Sequence, residues 1–216
     1  MPLIGGGGVE KNFFLITKLL SKKFKKIYIC YNYIKNKPKL SNNIIFLNRK
    51  NTKIKNHILI YLISLFKLFK FLLSHKDVTI LSFQANIYCI IISKLFKSKV
   101  IIRSNASPSG WANNYLKKNI FKFFLKKSDE IIVNSRLFQR EMKRNFNVKS
   151  KLIYNPLNKN EVIKLSKINK KVDFFDKTKN LKVLNIGRMT KQKDQLTLLK
   201  SINQIKNKLP LRLIIM

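Results

Sequence analysis

Acid, alanine, glycine and cysteine are all scarce in this chain, and each shortage excludes something. Only nine of the 216 residues are Asp or Glu, and none lies between Glu10 and Asp77. Asp129 and Glu130 are adjacent, but they open an apolar strand, the wrong end of a parallel sheet for catalysis. Paired-carboxylate hydrolysis is therefore excluded, and no Ser/His/Asp arrangement is present. Cys30 and Cys89 sit in apolar runs, with no Cys-x-x-Cys spacing and no neighbouring His. That excludes a zinc ribbon and predicts two buried thiols in a reducing compartment. His57 and His75 stand alone at the two ends of one predicted helix, so no metal site is expected. Glycine is confined to Gly5–Gly8, Gly110 and Gly187. The first residues lack a basic region followed by a long apolar core, which excludes a secretory signal.

Lysine, isoleucine, asparagine and phenylalanine are abundant. The formal net charge is +37, while 45% of the residues are hydrophobic. The second figure excludes wholesale disorder. The first would ordinarily point to nucleic acid or an anionic membrane. The excess is almost all Lys, however, and Ala, Gly, Arg and Pro are scarce together, so A/T-rich coding explains it better than selection for phosphate contacts. The resulting field still attracts anions. The stretch from His57 to Leu73 is apolar around most of its circumference, but its uninterrupted part stops at Lys67, short of a membrane span. Two readings stay open for it: a helix buried on a sheet, or one lying in an anionic leaflet with its lysines at the headgroups.

Strand-like and helical stretches alternate along the chain. Helices are predicted over 9–22, 56–74, 86–96, 114–127 and 135–145. Strands are predicted over 26–32, 43–48, 78–83, 99–103, 130–134 and 151–154. This alternation predicts an α/β fold with a Rossmann-like parallel sheet in residues 1–156, binding ligands at the carboxyl ends of its strands. Residues 157–180 read as a connector with one helix at most. A second Rossmann-like unit opens at Leu181 and reaches Met216 in mid-strand, so a truncated domain over 181–216 is expected. Only Pro2, Leu3 and Ile4 precede the glycine loop, so the first strand is expected to be missing.

The densest chemistry lies between Leu181 and Asp194. An apolar strand stops at Gly187, and Arg188 and Lys193 flank the turn into a predicted helix from Gln195. Two cations at a helix N-terminus suit a phosphate or diphosphate; the alternative is a pair of solvated surface charges. Gly6, Gly7 and Gly8 could form a backbone nest facing a phosphate, or a plain turn. They fit neither nucleotide fingerprint, GxxxxGK[ST] or GxGxxG. The polar loop from Ser104 to Trp111 is either an acceptor-binding loop or a Pro/Gly turn. Ser135 reads as a helix N-cap.

Together these segments resemble glycosyltransferase family 4, retaining sugar transferases of GT-B fold. Gly6 to Glu10 looks like that family's N-terminal glycine loop. Ser128 to Ser135, then Leu152 to Pro156, matches its strand–serine and Ile-x-Asn-Pro elements. Asn185 to Lys193 matches its Gly-Arg-x-x-x-x-Lys donor motif. The resemblance implies that Arg188 and Lys193 bind the donor diphosphate and are the catalytic cations, with no metal. Gly6, Gly7, Gly8 and Gly187 would approach the donor, and Arg103, Asn105 and Ser135 would lie on the acceptor side. The implied partners are a nucleotide-sugar donor and a glycan or lipid-linked acceptor in surface polysaccharide assembly. The implied location is cytoplasmic, with peripheral contact at the inner membrane face and no specific nucleic acid. The family's downstream acidic pair is expected to lie past Met216, and the His after its fourth strand is replaced by the segment from Phe83 to Asn86. This chain alone is therefore expected to be inactive. The alternatives are a basic nucleic-acid-binding protein and a non-catalytic remnant of a glycosyltransferase.

Overall fold

A computed structural model describes residues 1–4, 7–34, 38–47, 56–107, 110, 114–168, 174 and 179–216. The chain divides into two compact units, Met1–Asn158 and Lys159–Met216.

In the first unit the elements run β1 (Leu3–Ile4), α1 (Gly8–Leu20), β2 (Ile27–Ile29), β3 (Tyr33–Ile34), β4 (Ile44–Phe46), α2 (His57–Ser74), β5 (Thr79–Ser82), α3 (Asn86–Leu95), β6 (Lys99–Ser104), α4 (Tyr115–Leu125), β7 (Glu130–Val133), α5 (Arg136–Phe146) and β8 (Lys151–Leu152). Every described pairing is parallel: β5-β6-β7-β8 form one sheet, β1 pairs with β3, and β2 with β4. Parallel neighbours need helical crossovers, and those helices cover the sheet. Val100, Ile102 and Val133 are accordingly sealed from solvent, packed with Ile90, Leu125, Met142 and Phe146 from the crossover helices. A second cluster joins Ile4, Phe13, Ile29, Ile34 and Phe83.

A first strand is present, against expectation. Leu3 and Ile4 register with Tyr33 and Ile34, Ile4 is buried, and the terminal ammonium donates to the Cys30 carbonyl at 2.9 Å. Two residues suffice because backbone pairing holds them and Pro2 and Ile4 are both buried. The strand expected over 26–32 is shorter, Ile27–Ile29 paired with β4, and a separate strand, Tyr33–Ile34, follows it and pairs with β1.

Local signals place the helices. Ser135 caps α5 by accepting from the Phe138 amide at 3.1 Å, an interaction typically worth about 1 kcal/mol. Asn147 then ends α5 in the left-handed conformation, φ 50°, which asparagine tolerates. Asp129 accepts from the Val100 amide at 2.7 Å and from Lys94 at 3.3 Å, stitching the β7 start to β6. The backbone amide, then the Lys94 cation, hold its carboxyl below the usual carboxylate range against some burial.

The second unit comprises α6 (Lys159–Ser166), β9 (Leu181–Asn185), α7 (Gln195–Ile205) and β10 (Leu211–Ile215), with β9 parallel to β10 over Leu181–Asn185 and Leu211–Ile215. The molecule is thus an α/β protein of Rossmann-like type, with seven helices among the described residues.

Candidate functional site: cations at strand carboxyl ends

Two corners of the molecule carry the predicted site residues. In the second unit, β9 runs out at Asn185 and the chain crosses Gly187, Arg188 and Thr190 before a single 3-10 turn, Lys191–Lys193. The Gly187 amide donates to the Met216 carbonyl at 2.7 Å, and the Met216 amide to the Asn185 carbonyl at 2.9 Å. These bonds extend the β9–β10 ladder and fix where Arg188 leaves the sheet. The Gln195 side-chain amide donates to the Arg188 carbonyl at 3.0 Å, tying the turn to α7.

The aliphatic stem of Lys193 lies against Gly187, where a Cβ would meet it at 3.6 Å, an ordinary contact. Gly187 therefore keeps the lysine stem close without being sterically obligatory. Arg188 and Lys193 are both exposed, and neither forms an ion pair among the described residues. The Asn185 side-chain oxygen, at the same strand end, is buried and has no hydrogen-bond partner among the described residues.

One expectation needs correction. The α7 N-terminus does not open directly on Arg188: Asp194, in the left-handed conformation at φ 47°, caps it by accepting from the Thr197 amide at 3.4 Å. A carboxylate already occupies part of that terminus. Anion binding at this corner must come from the Arg188 and Lys193 side chains, with less from helix N–H groups than the sequence suggested.

At the carboxyl edge of the first unit's sheet, Ser82, Asn86 and Arg103 form a chain. The Ser82 hydroxyl donates to the Asn86 side chain at 2.8 Å, whose amide donates to the Arg103 carbonyl at 3.2 Å. The Arg103 guanidinium is 2% exposed. Its Nη2 donates to the Ile153 carbonyl and to the Asn155 side-chain oxygen, both at 3.0 Å; its Nε has no partner among the described residues. Burial lowers its pKa. Arg103 thus clamps the segment leaving β8 onto β6.

The expected acceptor role of Arg103 and Ser135 does not match their surroundings: one is sealed in the clamp, the other spent as a helix cap. Asn105 donates to the Phe83 carbonyl at 3.1 Å, and its buried oxygen has no partner among the described residues. Of the loop from Ser104 to Trp111, Ser104–Ser107 and Gly110 are described, and Ser107 donates to Glu141 at 2.7 Å. Phe83, in the segment that replaces the family's His, packs edge-on against Phe13 at 5.2 Å.

The glycine loop is part seen. Gly6 lies outside the described residues. Gly7 is the extended N-cap of α1, and Gly8 is its first residue. A Cβ on Gly7 would meet the Glu10 carboxylate at 2.9 Å, while one on Gly8 meets nothing within 4 Å. Glu10 thus folds over the start of α1, at the place proposed for a phosphate.

Sequence reasoning missed Asn155 and Gln195, the residues that fix these corners. Asn155 was visible only as a motif letter, and Gln195 as a helix start. Among the described residues no cluster of His, Cys, Asp or Glu could hold a metal. Both cysteines are free; burial raises their pKa values, and the Cys30 thiol donates to the Ser64 carbonyl at 3.5 Å. A cleft of about 550 Å³ opens at the amino end of β7, where Lys151 pairs with Glu130 at 3.1 Å. No protein-family model matches the chain, and no curated protein matches it; what these corners do rests on their geometry and chemistry.

Proposed function

We propose that the chain belongs to a retaining glycosyltransferase of GT-B type, with Arg188 and Lys193 as the donor-diphosphate cations. The observation that carries this reading is a pair of exposed cations at one strand carboxyl end, in no ion pair among the described residues. Their turn is held by backbone bonds and Gln195, so it is ordered before any ligand arrives. Parallel α/β sheets bind ligands at that end.

In the proposed reaction the bond between the sugar's anomeric carbon and the diphosphate oxygen breaks. Its electron pair stays with the nucleoside diphosphate, the acceptor hydroxyl forms the new bond to the anomeric carbon, and the hydroxyl proton leaves to solvent or base. Negative charge grows on the diphosphate as the bond breaks. Arg188 offers a planar two-point contact and Lys193 a compact charge. Each well-placed donor of this kind is worth about 3 kcal/mol in the transition state. The acceptor is a glycan or lipid-linked hydroxyl held by the first unit.

Calorimetric titration of the chain with a nucleoside diphosphate, at an ionic strength high enough to screen diffuse attraction, tests the reading. Wild type should bind, and the Arg188→Ala/Lys193→Ala double variant should lose on the order of a thousandfold in affinity, from two charge-assisted contacts of about 2 kcal/mol each. Equal binding by the two proteins would remove both residues from the donor site.

A further inference from the structure

We propose that α2 docks its outward face on an anionic lipid surface, lying in the interface without crossing it. The helix reverses the usual surface pattern, in which polar residues face outward. At 3.6 residues per turn, Ile58, Leu62, Phe66, Phe69 and Leu73 fall within an arc of about 80° and span roughly 22 Å. All five are exposed, between 37% and 72%. The opposite side holds Ile60 and Ser64, and Leu72 flanks the stripe; all three are buried. Polar contacts are also on the inward side: the Lys67 ammonium donates to the sealed Asn32 side chain at 2.9 Å, and Asn32 reaches the Ile60 carbonyl at 3.5 Å. Ile58, Leu62, Phe66 and Leu73 thus stand away from the contacts that hold the helix to the fold. Edge contact between Phe69 and Phe96 at 5.0 Å continues the stripe onto the end of α3.

Charge selects the occupant. No acidic residue occurs between Glu10 and Asp77, and the chain carries +37 overall. Lys70 and Lys76 are exposed beside and just past the stripe, placed for lipid phosphates while the apolar side chains enter the acyl boundary. A second copy of the chain would bring like charge against like; an anionic leaflet brings the opposite sign. Among the described residues no helix is long and apolar enough to cross a membrane, which leaves the interfacial posture. This inference is independent of the donor-site reading.

Sedimentation with phosphatidylcholine vesicles, and with vesicles mixing phosphatidylcholine and phosphatidylglycerol equally, tests it. The wild type should pellet with the mixed vesicles and much less with the neutral ones. Leu62→Glu/Phe66→Glu should weaken that binding at least about tenfold, with circular dichroism and the thermal midpoint unchanged. Phe66→Trp in a Trp111→Phe background reads depth without adding charge: its emission should be quenched by brominated phosphatidylglycerol. Three results would overturn the proposal: no wild-type binding to mixed vesicles, no quenching of the tryptophan, or a concentration-dependent dimer in buffer that the double Glu variant abolishes.

Discussion

Arg103 and Arg188 occupy equivalent places, each at the carboxyl end of a parallel strand, yet the structure uses them in opposite ways. Arg103 is sealed, and its Nη2 is spent on Ile153 and Asn155. Arg188 is exposed, with its backbone carbonyl held by Gln195 and its guanidinium in no ion pair among the described residues. Topology alone would nominate both for ligand binding. Burial and partners separate them: the Arg103 guanidinium is a clamp inside the fold, and that of Arg188, on a turn and in no ion pair among the described residues, is the proposed receptor.

The contrast is most easily broken at Arg103. Arg103→Ala should cost about 3 kcal/mol in urea unfolding, from a cavity in the sheet and two lost hydrogen bonds. Arg188→Ala should lie within about 0.5 kcal/mol of wild type. Equal destabilisation by the two would erase the distinction. Ligand affinity should reverse the order: Arg188→Ala or Lys193→Ala alone should weaken nucleoside diphosphate binding roughly thirtyfold by calorimetry, about 2 kcal/mol.

A smaller effect is expected at the amino end of the sheet, where charge is structural. Asp129→Asn should cost about 1 kcal/mol at neutral pH, at the low end for charged hydrogen bonds because the carboxylate is 39% exposed and screened. Its pKa is lowered in the fold. The stability it contributes is therefore full above the ordinary carboxylate range and lost as pH falls through its lowered value. Wild type and variant should converge in strong acid; a gap that persists there would assign the effect to packing. The smallest change is Gly187→Ala, expected to shift unfolding by a few tenths of a kcal/mol because its Cβ meets the Lys193 stem at 3.6 Å and the Gln195 side chain at 3.8 Å, both ordinary contacts. A large loss would show that the turn depends on glycine itself.

Much of the architecture was legible because it follows from local rules. Strand–helix alternation gave the parallel α/β class, and Ser135 declared a cap that the Phe138 amide satisfies. The turn after β9 was also visible, since Gly187 interrupts an apolar run. What stayed hidden depends on long-range pairing. Leu3 and Ile4 have no periodicity, and become a strand only through Tyr33 and Ile34, far along the chain. The separate strand at Tyr33–Ile34, just past the expected 26–32 run, has the same origin. The resemblance put Arg103 on the acceptor side, and arginine is rarely fully buried; only Ile153 and Asn155, some fifty residues on, make its burial tolerable. The Asp194 cap was missed because a left-handed residue between a 3-10 turn and a helix leaves no distinct mark in sequence.

The guanidinium Nε–H resonances of an isotopically labelled sample, followed by NMR during titration with a nucleoside diphosphate, put the contrast to its most direct test. The Arg188 resonance should shift with saturating dose dependence, while that of Arg103 stays in place. A shift at Arg103 with Arg188 unmoved would contradict the assignment of receptor and clamp.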